Sequence, residues 1–185
     1  MNYSFFAMVS RMKYIDRWAL MRNTENESLD SHSKEVAVIA HALALIGNKR
    51  FGKSYNPDRA AVLGLYHDAH EIITGDMPTP VKYQNADILC AFKAVEDSAN
   101  AKLLAKLPED LQDAFAPLLT GESDEDLQPL VKAADKLSDS LNVLRSARRV
   151  IRNFARQRRQ RVKGYARQIS LRQTCLSKNF YRLMN

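Results

Sequence analysis

Cysteine is scarce in this sequence, and its scarcity limits the classes of structure that the chain can adopt. Among 185 residues only Cys90 and Cys175 occur, and they do not form a C-x-x-C pair. Neither a disulfide framework nor a zinc site built from thiolates is therefore supported. Any metal that this protein binds must be held by nitrogen and oxygen ligands.

Long apolar runs and glycine-rich loops are also missing. No apolar run approaches the roughly 20 residues that a membrane-spanning helix needs. The N-terminal stretch MNYSFFAMVSRMKYIDRW mixes charged with apolar residues and does not follow the layout of a signal peptide. The sequence contains no glycine-rich phosphate loop, strand-turn-helix nucleotide pattern or internal repeat. We therefore predict a cytoplasmic protein without a membrane segment.

Acidic side chains disappear after residue 144. Residues 1–144 contain 15 lysines and arginines and all 21 acidic residues, whereas residues 145–185 contain 13 basic residues and no acidic ones. The formal net charge of +7 is therefore a property of the tail and not of the body. We predict a core domain over residues 1–144, which is long enough to bury its own core, and a basic C-terminal tail over residues 145–185.

Helical spacing dominates the chain, because apolar residues recur every three or four positions and alternating strand-like runs are absent. The predicted architecture is all-α. Asp30 or Ser31 can cap a second helix that stops at Gly47, and Asn56-Pro57 can open a third. The other predicted segments are helices over residues 5–15, 57–74, 85–106, 108–119 and from 124 onward, and a loop over 76–80, which contains two prolines.

The segment LYHDAHEIITGDMPTP places several ionisable residues at the end of an apolar helix. Because residues three and four positions apart share a helical face, His67, Asp68 and Glu71 can converge on one patch. Imidazole and carboxylate are ligands for divalent first-row metals, which leaves Glu71 as a candidate acid or base. For two such residues alone, a capped, solvated helix end with incidental charges is the favoured interpretation.

Two further residues extend the pattern. His32 lies at the start of its helix in DSHSKE, and Asp135 interrupts the apolar face of LVKAADKL, where a charged side chain needs an explanation. A histidine, a His-Asp pair and a distant aspartate form a pattern that resembles the H…HD…D ligand set of the HD-domain metal-dependent phosphohydrolases.

The resemblance extends from residue 5 to about residue 138. The segments RWALMR, ESLDSHSKEVAVIAHALA, YHDAHEIITGDMPTPVKY and LVKAADKLS are similar to those of the bacterial HD-domain 5′-deoxynucleotidases. This resemblance implies an HD-domain helical bundle and a cytoplasmic homodimer. It also implies hydrolysis of deoxyribonucleoside 5′-monophosphates to deoxyribonucleoside and phosphate.

The resemblance also implies a role for each matching residue. The implied metal ligands are His32, His67, Asp68 and Asp135, and the implied catalytic residues are Glu71 and Arg17. The implied substrate contacts are Arg17, Trp18, Asp68, Asp76, Met77, Pro78, Thr79 and Asp135. The implied metal is cobalt, manganese, iron or zinc. The nitrogen and oxygen ligand types do not distinguish among these ions.

Residue chemistry supports these roles less sharply than the resemblance does. The planar guanidinium of Arg17 suits phosphate oxygens, but a lone Trp18 can equally be a core anchor. Asp76 and Thr79 can serve only the conformation of a turn. His41 lies about 900° around the helix from His32 and so on its opposite side. His70 is not a motif position, and neither histidine is assigned to the site.

Two other functions fit parts of the sequence. A deoxynucleoside triphosphohydrolase of the HD type would use the same ligands and extra cations such as Arg22, Lys82 or Lys136. A noncatalytic nucleic-acid-binding protein would use the basic tail, with salt-dependent affinity.

The tail departs from the family pattern after about Ser138, and two explanations remain open. It is either a genuine basic arm or the product of a reading-frame slip. Residues 150–157, VIRNFARQ, can be back-translated so that the neighbouring frame reads GNQEFRQA, which resembles the usual family continuation. The nucleotide sequence of the gene distinguishes the two explanations.

Overall fold

The computed structural model describes residues 4–18, 26–121 and 124–183, with side chains described up to Arg161 and for Lys163. These residues are helical apart from their connections and one isolated antiparallel bridge between Asp16 and Ser28, which confirms the predicted all-α class. The helices are α1 Phe5–Val9, a 3₁₀ helix Ser10–Tyr14, α2 Leu29–Phe51, α3 Pro57–Tyr66, α4 Glu71–Thr74, α5 Thr79–Lys82, α6 Ala86–Leu104, α7 Glu109–Thr120 and α8 Gln128–Leu183.

The predicted bounds of the second helix were wrong at both ends. Helix α2 follows Ser28 and continues past Gly47 to Gly52, whose φ of 62° closes the helix in the left-handed conformation. Gly47 instead allows close packing, because a Cβ added there would lie 2.9 Å from the ring of Tyr55.

The predicted third helix and the loop after it also differ from the structure. Helix α3 ends at Tyr66, and a turn over residues 67–70 separates it from α4. In this turn the Ala69 amide donates to the Tyr66 carbonyl at 3.0 Å, an i to i−3 bond that tightens the chain. Thr79 and Pro80 lie in the first turn of α5 and not in a loop, since proline is tolerated at that position.

The core that positions the site is formed by α2, α3, the turn before α8 and the first part of α8. Its buried residues are Val36, Ala40, Ala44, Ala60, Leu63, Leu127, Val131 and Ala134. Gly64 lets α2 and α3 approach each other, because a Cβ at this position would lie 2.8 Å from the Cα of Ala37. This close contact brings the rings of His32 and His67 to a centroid distance of 5.3 Å.

The N-terminal segment is fixed against the start of α2 by main-chain hydrogen bonds. The Leu29 amide donates to the Ile15 carbonyl at 2.8 Å, and the Arg17 amide donates to the Glu27 carbonyl at 2.9 Å. Arg17 and Trp18 are therefore held beside the first turn of α2.

The chain divides into two compact units, Met1–Asn142 and Val143–Asn185. The second unit is part of helix α8, and its side chains Val150, Ile151 and Phe154 are exposed. Within the part of the chain that the structure describes, no helix combines the length and the apolar character needed to cross a bilayer.

Candidate metal centre and substrate site

Four side chains from three helical segments converge at one point. His32 is in α2, His67 and Asp68 begin the turn after α3, and Asp135 is in α8. Each contributes one nitrogen or oxygen atom to a group whose members all lie within 4.8 Å of one another. His32 Nε2 is 3.0 Å from Asp135 Oδ1, and His67 Nε2 is 3.0 Å from Asp68 Oδ2. The structure thus brings together all four predicted metal ligands.

The outer nitrogen of each imidazole faces a hydrogen-bonding partner. His67 Nδ1 is 2.8 Å from the carbonyl oxygen of Gly64, so it carries the proton and donates it. His32 Nδ1 is 3.4 Å from Ser138 Oγ, whose hydroxyl donates to Glu35. His32 Nδ1 is also 3.7 Å from Glu27 Oε1. Acceptors at both Nδ1 atoms favour the tautomers that leave the Nε2 lone pairs for a metal.

The inner nitrogens fit a cation. The Nε2 atoms of His32 and His67 are buried and make no hydrogen bond to any described residue, although each has a carboxylate oxygen nearby. Buried polar atoms without partners are costly. Two imidazoles and two carboxylates are a suitable ligand set for a divalent first-row metal. The residues therefore fit the group that the sequence pattern implies.

The cluster is strongly coupled electrostatically. Burial would lower the pKa of His67, but the carboxylates of Asp68 and Asp135 raise this pKa to about 10. Burial would likewise raise the pKa of Asp68, but His67 lowers it to about 2. Burial would raise the pKa of Asp135, but the nearby imidazoles of His32 and His67 lower it. In the metal-free site, imidazolium charge thus balances the two carboxylates.

Glu71 is beside the cluster in the first turn of α4. Burial, reinforced by the charges of Asp68 and Asp76, raises the pKa of Glu71 to about 9. Its Oε2 atom is buried and makes no hydrogen bond within the described part of the chain. Glu71 is therefore a carboxyl group that can hold and release a proton next to the cluster.

Arg17 and Trp18 border the cluster. Arg17 Nη2 donates to Asp139 Oδ1 at 3.0 Å, and Nη1 is 3.8 Å from Asp68 Oδ2. The guanidinium carbon is 5.9 Å from the centroid of the Trp18 ring. Trp18 has a left-handed φ of 65°, which is unusual for a bulky residue and marks a site held by its surroundings.

The loop before α5 is connected to this pair at one point. The Trp18 amide donates to Asp76 Oδ2 at 3.2 Å, so the structure brings Asp76 to the site. Met77 and Pro78 are half-buried and Thr79 is exposed, and the substrate role of these three residues stays a prediction.

Comparisons with known proteins agree with this geometry. The model of the YfbR-like 5′-deoxynucleotidase family matches residues 4–175. A 5′-deoxynucleotidase of Cronobacter sakazakii is 52% identical over 141 residues, which is 76% of this chain and 71% of the relative. The 5′-deoxynucleotidase YfbR of Escherichia coli O1:K1 is 51% identical over 142 residues, with the same two shares of 76% and 71%.

The chain belongs to the YfbR-like 5′-deoxynucleotidase family.

The fold agrees as well. An HD-domain phosphohydrolase of Listeria innocua superposes with a TM-score of 0.65 at 24% identity, over 72% of this chain and 64% of that one. This likeness confirms the predicted HD-domain helical fold. Family membership confirms the predicted resemblance and the predicted enzyme class of a 5′-deoxynucleotidase, a phosphoric monoester hydrolase.

Sequence reasoning missed several residues around this 5′-deoxynucleotidase site. Three lie on one face of α8 after Asp135: Ser138, Asp139 and Asn142, at spacings of three, four and seven residues. Ser138 is fully buried beside His32, Asp139 accepts from Arg17, and Asn142 donates to Glu27. The helical spacing of these three polar residues after Asp135 could have indicated that they face the site. No comparable spacing indicates that Glu27 contacts it.

His70 was left out of the predicted site but is buried at its edge. Its Nε2 atom is 3.4 Å from Glu96 Oε1, and Lys82 Nζ donates to the same oxygen at 2.6 Å. Asp68, His70 and Glu71 form a second group of atoms with metal-ligand spacing. His41, by contrast, is 41% exposed and faces Asp58 at 3.8 Å, as its place on the opposite side of α2 predicted.

Proposed function

We propose that the chain hydrolyses deoxyribonucleoside 5′-monophosphates to deoxyribonucleoside and phosphate with one divalent cation held by His32, His67, Asp68 and Asp135. The observation that carries the proposal is the convergence of these four side chains, whose ligand atoms all lie within 4.8 Å of one another. Family membership supports the substrate class. Bound here, cobalt, manganese, iron or zinc would act as a Lewis acid and lower the pKa of a water molecule.

Arg17 orients the phosphate in this proposal. Its guanidinium is fixed by Asp139 at 3.0 Å and lies 3.8 Å from Asp68, so its charge is held at the edge of the cluster. A planar fork of donors can bind two phosphoryl oxygens. Arg17 therefore neutralises the negative charge that accumulates on these oxygens as water attacks phosphorus.

Glu71 moves the proton. Hydrolysis forms a bond between a water oxygen and phosphorus and breaks the bond from phosphorus to the 5′ oxygen of the sugar. One proton of the water must reach that departing oxygen. Glu71 lies next to Asp68, and its raised pKa of about 9 keeps the carboxyl protonated near pH 7. It would give its proton to the departing 5′ oxygen and take up the proton of the attacking water in return.

Trp18 and the segment Asp76, Met77, Pro78 and Thr79 bind the nucleoside part. The hydrogen bond from the Trp18 amide to Asp76 at 3.2 Å joins the ring to this segment. We propose that the indole is a wall near the 2′ position that excludes a ribose hydroxyl, because one hydroxyl can be rejected only by a clash or an unpaired polar group. A cytoplasmic homodimer remains part of the proposal.

The triphosphohydrolase alternative receives less support from the site. It needs additional free cations for the outer phosphates, but Lys82 is engaged with Glu96 at 2.6 Å. Lys136 is exposed, and no described contact joins it to the cluster. Arg22 lies outside the described residues, so its part in this alternative stays a prediction. No described contact favours the noncatalytic nucleic-acid-binding alternative.

A phosphate-release assay tests the proposed function. With added cobalt or manganese, we expect phosphate from dAMP, little from AMP, and no tripolyphosphate from dATP. Asp68→Ala removes a ligand and should lower the rate by about 100-fold or more, since even changes behind a ligand cost about 10- to 100-fold. Asp58→Ala is the matched control, because that carboxylate is 95% exposed. Equal turnover by the wild type and Asp68→Ala would refute the metal assignment.

A further inference from the structure

Glu27 is the first residue of the family-like segment ESLDSHSKE, where no role is assigned to it, and yet it contacts two parts of the site. Its Oε2 atom accepts a hydrogen bond from Trp18 Nε1 at 2.5 Å. Its Oε1 atom is 3.7 Å from Nδ1 of His32. Only 10% of the Glu27 side chain is exposed. One buried carboxylate therefore lies between the indole and an imidazole of the metal cluster.

Glu27 is itself fixed from two sides. Its main-chain carbonyl accepts from the Arg17 amide at 2.9 Å, which places the residue before the first turn of α2. Asn142 Nδ2 donates to the same Oε2 atom that binds the indole. The carboxylate is thus a preorganised acceptor and not a side chain that adjusts to its partners.

The indole needs this acceptor. Tryptophan has a single donor, Nε1, and no acceptor, so its orientation in a partly buried site depends on where that donor finds a partner. The main chain at Trp18 is already fixed in a left-handed conformation by the bond to Asp76. Once the main chain is set, the bond to Glu27 determines which way the ring faces.

The other oxygen of Glu27 faces the imidazole of His32 at 3.7 Å, which is an ion-pair distance and not a hydrogen bond. Carboxylates behind metal-bound histidines fix the ring and its tautomer, and their loss typically lowers metal affinity by about 10- to 100-fold. Ser138 Oγ, 3.4 Å from the same Nδ1, shares this role for His32. The two residues differ in their second contact: Ser138 donates a hydrogen bond to Glu35 in α2, whereas Glu27 accepts one from Trp18.

We propose that Glu27 is a positioning residue that fixes the Trp18 indole beside the sugar site and orients His32, so that sugar discrimination and metal binding depend on one carboxylate. For the sugar readout this inference rests on the proposed function. The orientation of the indole does not depend on the proposed function. An experiment on the indole therefore tests the role of Glu27 separately from the proposed function.

Fluorescence of the metal-free full chain is the first test. Trp18 is the only tryptophan, so emission reports this ring alone. We expect Glu27→Ala to shift the emission to longer wavelength and to raise the acrylamide quenching constant about twofold or more, because the ring loses the partner that holds it. Glu27→Gln is nearly isosteric and keeps an amide oxygen that can accept from Nε1, so its quenching should stay close to that of the wild type.

Metal titration and substrate choice are the second test. We expect Glu27→Ala to lower the affinity for manganese about tenfold and to reduce the ratio of kcat/KM for dAMP over AMP about fivefold or more. Ser138→Ala is the matched control. It should lower manganese affinity in the same way but leave both the quenching constant and the dAMP to AMP ratio unchanged, because the described contacts of Ser138 are with His32 and Glu35 and not with Trp18.

The outcomes separate the two hypotheses. If the wild type does not distinguish dAMP from AMP, the proposed sugar site is wrong, while quenching and manganese affinity still test Glu27. If Glu27→Ala and Glu27→Gln both retain wild-type quenching, the positioning role is overturned. It is equally overturned if Ser138→Ala changes quenching and the dAMP to AMP ratio as much as Glu27→Ala does.

Discussion

Metal binding to the four-residue cluster should release protons, and this makes affinity depend steeply on pH. Burial alone would lower the pKa of His67. The carboxylates of Asp68 and Asp135 outweigh this effect and raise the pKa to about 10. A metal needs the neutral imidazole. At pH 7, about three units below this pKa, removing the proton costs about 4 kcal/mol, so the apparent affinity is about 1,000-fold lower than above pH 10.

Calorimetric titration of the metal-free chain with manganese measures this effect. Between pH 6 and 8 we expect the association constant to rise at least tenfold per pH unit, because His67 loses one proton for each ion bound and His32, whose pKa is also raised by its carboxylate neighbours against the effect of burial, can lose a second. Buffers with different ionisation enthalpies count the protons directly. His41→Gln is the control and should keep the same slope, since His41 lies on the opposite side of α2 from His32 and faces Asp58 at 3.8 Å. An association constant that does not change over this range would refute the reasoning.

Thermal unfolding tests the same ionisable groups through the stability of the metal-free chain, which should fall with rising pH where metal affinity rises. Because the pKa of His67 is raised on folding, its contribution to the stability of the metal-free chain is complete below pH 6.5 and is lost as the pH rises through about 10. The pKa of Asp68 is lowered to about 2, so its contribution is present above pH 3.8 and is lost as the pH falls through about 2. The gap in Tm between the manganese-loaded and metal-free chains should therefore widen from pH 6 to 8.

Two further predictions concern phosphate binding and helix packing. Arg17→Lys keeps the charge but loses the planar fork, so kcat/KM for dAMP should fall about 10- to 100-fold, matching the roughly 1.5–3 kcal/mol of a charged hydrogen bond; unchanged steady-state kinetics would contradict this role. Gly64→Ala places a Cβ 2.8 Å from the Cα of Ala37 and should lower the free energy of unfolding in urea by about 1–3 kcal/mol. Leu65→Ala, at a 43% exposed position of the same helix, should change it by about 0.5 kcal/mol or less.

The convergence of the four-residue cluster could be predicted from sequence because its residue types are unusual where they occur. A charged Asp135 on an apolar helical face and a His-Asp pair at the end of another helix require a partner, and the spacing limits which residues can share one. The structure brings these residues together with His32, as predicted. Helical spacing alone joins only His67, Asp68 and Glu71, and the resemblance to a family pattern adds His32 and Asp135; the role of the four residues as metal ligands stays a prediction.

The turn at residues 67–70 could not be predicted in the same way. The apolar pattern runs through it, and no proline or glycine marks the break. A local side-chain contact accompanies the interruption: the His67 ring donates to the Gly64 carbonyl at 2.8 Å and so competes for an acceptor that a continuous helix would use. A single sequence does not record which side chain will take a main-chain acceptor.

Glu27 was missed for a related reason. It lies before α2, where no periodic pattern applies, and its partners Trp18 and Asn142 are far from one another in sequence. Its role depends on three separate segments meeting. Asp139 differs, because it follows Asp135 by one helical turn and its contact with Arg17 is the kind that helical spacing can suggest.

The positive φ at Trp18 has a consequence for efforts to redesign the sugar preference of this enzyme. A saturation library at this position would select for backbone tolerance as well as for pocket shape, since valine, isoleucine and threonine resist a φ of 65°. Asparagine and glycine accept it readily and should be over-represented among folded variants whatever nucleotide they accept. Enrichment at this codon therefore becomes interpretable only after normalising to expression without nucleotide selection.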